Sequence, residues 1–160
     1  MKLLAIVLTT FVLTACQTTT MKQENTTVHA FRLKPGDDLK EGMEKIVKEK
    51  GISAGWVATC VGSLTDYSIR FANQPGATIG AGHFEILSVS GTVSINGSHL
   101  HLSISDSTGK TIGGHLMAGC KIYTTAEIII QSTGSYEFTR KKDGTTAWEE
   151  LQVREIRNKE

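Results

Sequence analysis

Residues 99–115 read HLHLSISDSTGKTIGGH, and the alternation in this stretch decides the fold class. Alternate side chains of an extended chain share a face, so Leu100, Leu102 and Ile104 point one way while His99, His101, Ser103 and Ser105 point the other. This is the pattern of a strand with one buried side. The turn at Ser107-Thr108-Gly109 sends the chain back through Thr111-Ile112-Gly113-Gly114 to His115, so the stretch reads as a hairpin. Outward from it the same pattern predicts strands at Val28–Leu33, Gly55–Leu64, Tyr67–Ala72, His83–Ser90, Gly91–Ile95, Ser98–Ser105, Ile112–Leu116, Ile122–Gln131 and Tyr136–Arg140. Turn signals at Gln74-Pro75-Gly76, Asn96-Gly97 and Lys142-Asp143-Gly144 separate several of them.

One helix interrupts the strands. PGDD at 35–38 offers Asp37 or Asp38 as its cap, with Glu41 placed to complete a capping box. Leu39, Met43, Ile46 and Val47 fall on one helical face, and Gly51 ends the element. A chain of 160 residues with 39% hydrophobic content supports one domain, and sixteen glycines against two prolines suit strands and tight turns. The expected class is α/β of the α+β kind, a mainly antiparallel, barrel-like sheet carrying one main helix.

The first residues, MKLLAIVLTTFVLTAC, have the form of a secretory signal: Lys2, an apolar run from Leu3 to Val12, then small residues. Leu13-Thr14-Ala15-Cys16 resembles a bacterial lipobox, with cleavage before Cys16 and lipid on its thiol. The expected organisation is a lipoprotein signal peptide at 1–15, a lipidated tether at 16–27, the main domain at 28–145, and a strand or tail at 146–160. The alternative start is Met21. Loss of residues 1–15 removes Lys2 and no acid, leaving 16 basic and 16 acidic residues. A neutral chain has no field to hold a polyanion, so nucleic acid is not an expected partner. The expected location is the cell envelope, lipid-anchored in the membrane, on the periplasmic side in a Gram-negative cell.

Several chemistries lack their sequence signatures. Gly113-Gly114 stands outside any phosphate-loop pattern, and no G-x-S-x-G elbow occurs. Cys60 and Cys120 sit in apolar runs, where they read as buried thiols, with a disulfide as the other reading in an oxidising compartment.

The histidines remain. His99 and His101 lie about 7 Å apart along one strand face, and the hairpin returns His115 toward them. Three imidazoles converging this way suit a zinc site with an open fourth position, and the other reading is a set of hydrogen-bonded polar residues on a strand face. His29 is a weaker case. His83 shares a face with Glu85 and is a further candidate ligand or orienting group. Glu127, in the apolar run TTAEIII, would have its pKa raised by burial unless paired, and a subunit interface is its other reading. Glu85 and Glu127 are the expected proton shuttles if the site is catalytic.

FRLKPGDDL, GWVATCVGSLT, GHFEILSVSGTVS and HLHLSISDSTGKTIGGHLMAGCKIYTTAEIII together resemble the PPC domain of prokaryotes and of plant AT-hook proteins, over residues 28 to about 140. The resemblance implies an α/β domain with a barrel-like antiparallel sheet and a trimeric assembly. Plant members share a GRFEIL segment similar to Gly82-His83-Phe84-Glu85-Ile86-Leu87, with His83 here in place of arginine. They bind DNA through an Arg-Gly-Arg-Pro AT-hook that this sequence lacks. The fold is also similar to that of acetolactate decarboxylases, whose zinc-holding HxH pair and later histidine correspond to His99, His101 and His115. The sequence thus reads as a trimeric binding module for an unknown small ligand. A zinc-dependent enzyme on a small metabolite is one alternative, and a DNA-binding regulator is another.

Overall fold

A computed structural model of the chain describes residues 26–156. The expected signal peptide, Cys16 and the tether up to residue 25 lie outside the described residues, as do 157–160. The elements run β1 (Thr26–Leu33), α1 (Leu39–Glu49), β2 (Gly55–Arg70), β3 (Thr78–Val93), β4 (His99–Ser105), β5 (Thr111–Leu116), β6 (Lys121–Thr133), β7 (Tyr136–Lys141) and β8 (Glu150–Glu155). Six strands form an antiparallel sheet in the order β1-β6-β2-β3-β4-β5. The end of β2 also pairs with β5, through Ile69↔Leu116 and Arg70↔His115, so the sheet curls into a partial ring.

The alternation that predicts β4 is what packs it. Leu100, Leu102 and Ile104 are buried, joined in the core by Ile122, Ala126, Ile128 and Ile130 of β6. Helix α1 adds Leu39, Met43 and Val47, while Ile46 is only half-buried. Asp38 is the cap: its Oδ1 accepts from the Glu41 amide at 3.1 Å, and its Oδ2 accepts from the Gly119 amide at 2.6 Å. The helix start is thereby tied to the loop between β5 and β6 as well as satisfied locally. Asp37 instead accepts from the Lys34 amide at 2.8 Å, closing the preceding turn. Cys60 and Cys120 are buried free thiols, pushed by burial up to about 12 and about 11 respectively.

Some boundaries differ from the sequence reading for physical reasons. Gly55–Leu64 and Tyr67–Ala72 merge into β2, because a register shift between Leu64 and Asp66 absorbs the expected break without ending the ladder. His83–Ser90 and Gly91–Ile95 likewise merge into β3, where Gly91 pairs with Leu100. Thr26 and Thr27, expected in the tether, belong to β1. The open question of the tail resolves as a strand: β8 pairs antiparallel with β7, so this hairpin spans the expected division at 145/146. The β7–β8 arm is fastened to the main sheet at Phe138, whose amide donates to Ser53 O at 2.9 Å and whose carbonyl accepts from Ser94 Oγ at 2.8 Å.

Two glycines let β5 lie close to both of its neighbours, Gly114 against β2 where the ring closes and Gly113 against β4. A Cβ added at Gly114 would lie 2.7 Å from the Arg70 carbonyl oxygen, and one at Gly113 2.9 Å from the Leu102 carbonyl oxygen. Both obstacles are backbone, so no side chain can yield. Gly114→Ala is expected to destabilise the protein by about 1–3 kcal/mol. Gly134→Ala, with nothing within 4 Å of the added carbon, serves as the control and should stay within about 0.5 kcal/mol of wild type. Equal urea midpoints for the two variants would show that β5 moves away from β2 at no cost.

Candidate metal centre

The β4–β5 hairpin pairs His101 directly with His115, and His99 lies on the same strand face as His101. The three rings gather closely: centroids are 5.0 Å apart for His99 and His101, 5.1 Å for His99 and His115, and 5.8 Å for His101 and His115. One nitrogen from each ring can be chosen so that all three lie within 4.8 Å of one another. His99 and His101 are exposed, and His115 is half-buried. Asp106 holds the turn of this hairpin, its Oδ1 accepting from the Thr108 and Lys110 amides at 2.9 and 3.1 Å.

Burial and neighbouring charges hold two of these rings, His115 and His99, toward the neutral form. Burial, then the neighbouring His99, Arg70, His101 and Lys40, pushes His115 down to about 4. Burial is also the main cause lowering His99, reinforced by Arg140 and His101 and opposed by Glu150. Neutral imidazoles are the form that donates a lone pair to a metal.

Two observations test whether a metal fits. The Nε2 atoms of His99 and His101 are 3.2 Å apart, close to the roughly 3.3 Å that zinc–nitrogen bonds of about 2.0–2.1 Å impose between tetrahedral ligands. Nδ1 of His115 is buried without a hydrogen-bond partner, and such an orphan is costly unless something binds it. The residues present fit a divalent ion held by three nitrogens, with further positions on the solvent side.

The other expected site residues are not at this cluster. Glu85 pairs with Ser63 and Ser105, at the end of β4 away from His99. His83 is exposed and its ring lies 4.3 Å from that of Tyr123. Glu127 is exposed between Arg32 of β1 and Val61 of β2. Its neighbours in sequence are apolar because they face the core, while the alternation turns Glu127 outward, which corrects the expectation of burial. His29 bonds Ser132 Oγ at 2.9 Å.

What surrounds the histidines instead comes from β2 and the arm. A cavity of about 370 Å³ lies between His99 and His115 on one side and Arg70, Arg140, Trp148 and Glu150 on the other. The Arg70 guanidinium carbon sits 4.4 Å from the centre of the Trp148 ring, and Arg140 Nη2 donates to Thr92 Oγ1 at 2.9 Å. Sequence spacing gives no sign of Arg70, because only the β2–β5 closure brings it to His115. WEEL at 148–151 holds the other signal, an aromatic beside two acids in a segment whose structure the sequence left undecided.

Comparison with known proteins agrees with this architecture. The chain is 40% identical over 129 residues to the bifunctional protein GlmU of two Synechococcus strains. That match takes in 81% of this chain, and the chain spans about a fifth of those relatives' length. A hypothetical protein from Salmonella enterica superposes with a TM-score of 0.80 at 35% identity, covering 84% of this chain and 97% of that one. A metal-containing protein from Archaeoglobus fulgidus shares the fold at a TM-score of 0.68 and 24% identity, covering 82% of this chain and 99% of that one. Residues 21–134, which include all three histidines and end before the arm, match the Plants and Prokaryotes Conserved domain, abbreviated PCC or PPC. The chain belongs to the Plants and Prokaryotes Conserved domain family.

Proposed function

We propose that the chain is a zinc-binding module of this family, anchored in a bacterial cell envelope by lipid on Cys16, assembled as a homotrimer, and serving to bind a small ligand. The observation that carries the reading is the 3.2 Å approach of the His99 and His101 Nε2 atoms, in a cluster where one nitrogen from each of the three rings lies within 4.8 Å of the others. Zinc is favoured because three imidazole nitrogens suit it, and when bound it supplies a Lewis acid next to the cavity. The metal-containing relative from Archaeoglobus fulgidus is consistent with this assignment.

Support for assembly lies on the outer sheet face. Val28, Val61 and Leu87 there are 58%, 51% and 52% exposed, and further copies of the chain would cover them. The anchor rests on the Leu13-Thr14-Ala15-Cys16 motif. The absence of an AT-hook and the balance of 16 basic against 16 acidic residues after residue 15 argue against a DNA-binding role. A zinc-dependent enzyme on a small metabolite is the second reading. It rests on Glu150, a carboxylate on the cavity wall beside His99, where Glu85 and Glu127 do not reach.

Purified protein is expected to carry about one zinc ion per chain, and His101→Ala to lower zinc affinity by at least about a hundredfold while retaining the fold. Metal analysis of both proteins decides, and a wild type that takes up no zinc sinks the reading. The metal-free state has its own signature. His115 is held at about 4 in the fold against about 6.5 unfolded, so below pH 6.5 the unfolded chain binds more protons there. Stability from this group is complete above that pH and falls as pH drops toward 4. Urea midpoints of chelator-treated wild type should therefore drop more between pH 7 and pH 4.5 than those of His115→Gln, and identical drops would contradict the assignment. In cells, palmitate label should enter wild type but not Cys16→Ala. Light scattering on the unlipidated chain should give three times the monomer mass, and a monomer at micromolar concentration refutes the trimer.

A further inference from the structure

Neither Arg70 nor Arg140 makes an ion pair with a carboxylate among the described residues, although Glu149 and Glu150 line the same cavity. Glu150 accepts instead from Thr146 Oγ1, within its own arm. Arg70 lies over the Trp148 ring, and this cation–π contact takes up none of its N–H donors in a hydrogen bond among the described residues. Arg140 uses Nη2 on Thr92, while its Nε is buried with no partner. Two cations with unspent donors thus share with His99 and His115 the lining of a hollow of about 370 Å³, a volume that suits a small ligand.

We infer that this hollow is a binding site for a small oxyanion, a carboxylate or phosphate group, gripped by Arg70 and Arg140 beside the His99–His101–His115 cluster and covered by Trp148. The chemistry selects this class. Guanidinium N–H groups match planar or tetrahedral oxyanions in paired hydrogen bonds, and with a divalent ion in place the cationic groups outweigh Glu149 and Glu150. The inference rests on the metal reading for that last step only, since both guanidiniums are present without the ion. It also gives the arm a role: the family match over residues 21–134 supplies the histidines and Arg70, whereas Arg140 and Trp148 come from β7 and the segment after it.

Trp148 provides the readout, because the chain has two tryptophans and Trp56 lies elsewhere, bonded to Gln131 at 3.0 Å. The full chain carrying Trp56→Phe is analysed for metal, loaded with zinc, freed of excess ion, and titrated separately with inorganic phosphate and with succinate. A saturable change in Trp148 fluorescence with either probe is expected, and the responding probe assigns the oxyanion class. Arg70→Gln and Arg140→Gln should each weaken that binding about tenfold or more, with zinc content and urea midpoint unchanged and with Arg70→Lys and Arg140→Lys falling between. The same titrations on chelator-treated protein separate the two readings. Failure to take up zinc, with arginine-dependent binding retained, removes the metal and keeps the oxyanion site. Absence of a saturable response to both probes up to about 10 mM, or equal affinities in wild type and the arginine-to-glutamine variants, overturns the inference.

Discussion

The close approach of the Gly114 backbone to the Arg70 carbonyl is the constraint on which the site depends. It allows β5 to lie between β4 and the end of β2, closing part of the sheet into a ring. Pairing on one side sets His101 opposite His115, and pairing on the other sets His115 opposite Arg70. A side chain at position 114 would push against main-chain atoms on β2, and because ladder spacing is fixed by hydrogen bonds, relief has to come from separating the strands. Separation would spoil the pairing of His115 with Arg70. The approach of Arg70 to the imidazole cluster is therefore a consequence of one steric permission.

The cluster is built on the polar side of strands whose other side is core. Leu100 and Leu102 are buried and fix the pleat, so His99 and His101 are held by packing that they do not themselves provide. This is a rigid base for ligand groups. Burial first, and then Arg70, Arg140 and Lys40, disfavour an imidazolium on one or the other of His99 and His115. The same charges that keep the lone pairs available for a metal also favour an anion beside it.

Much of this was legible in the sequence because strand alternation is local. The facing of His99 and His101, the hairpin that returns His115, the Leu39–Met43–Val47 helix face and the buried cysteines all follow from short-range spacing. Continuity of β2 across Thr65 and Asp66 was not legible, since a bulge and a turn present similar local chemistry. Glu127 shows the opposite error, in which an apolar run was read as burial although period-two alternation places the carboxylate outside. Arg70 and Arg140 escaped notice because their approach to the histidines is set by ring closure and by docking of the arm at Ser53, Ser94 and Asn96, contacts between residues far apart in the chain.

The orphaned atoms give the site its energetic direction. Most buried polar groups in folded proteins are hydrogen-bonded, and leaving one unpaired costs about 1–3 kcal/mol. Here two of the three unpartnered buried side-chain atoms among the described residues, His115 Nδ1 and Arg140 Nε, belong to one neighbourhood. They differ in what they require. An imidazole nitrogen in its neutral form can offer a lone pair to a cation, whereas a guanidinium N–H can only donate, and so calls for an acceptor. A metal alone would satisfy the first and an anion alone the second, so the two deficits together favour a bound pair of opposite charge. Any species that binds the folded chain but not the unfolded one adds to its stability, which makes the unpartnered atoms and the ligand preference two expressions of the same arrangement.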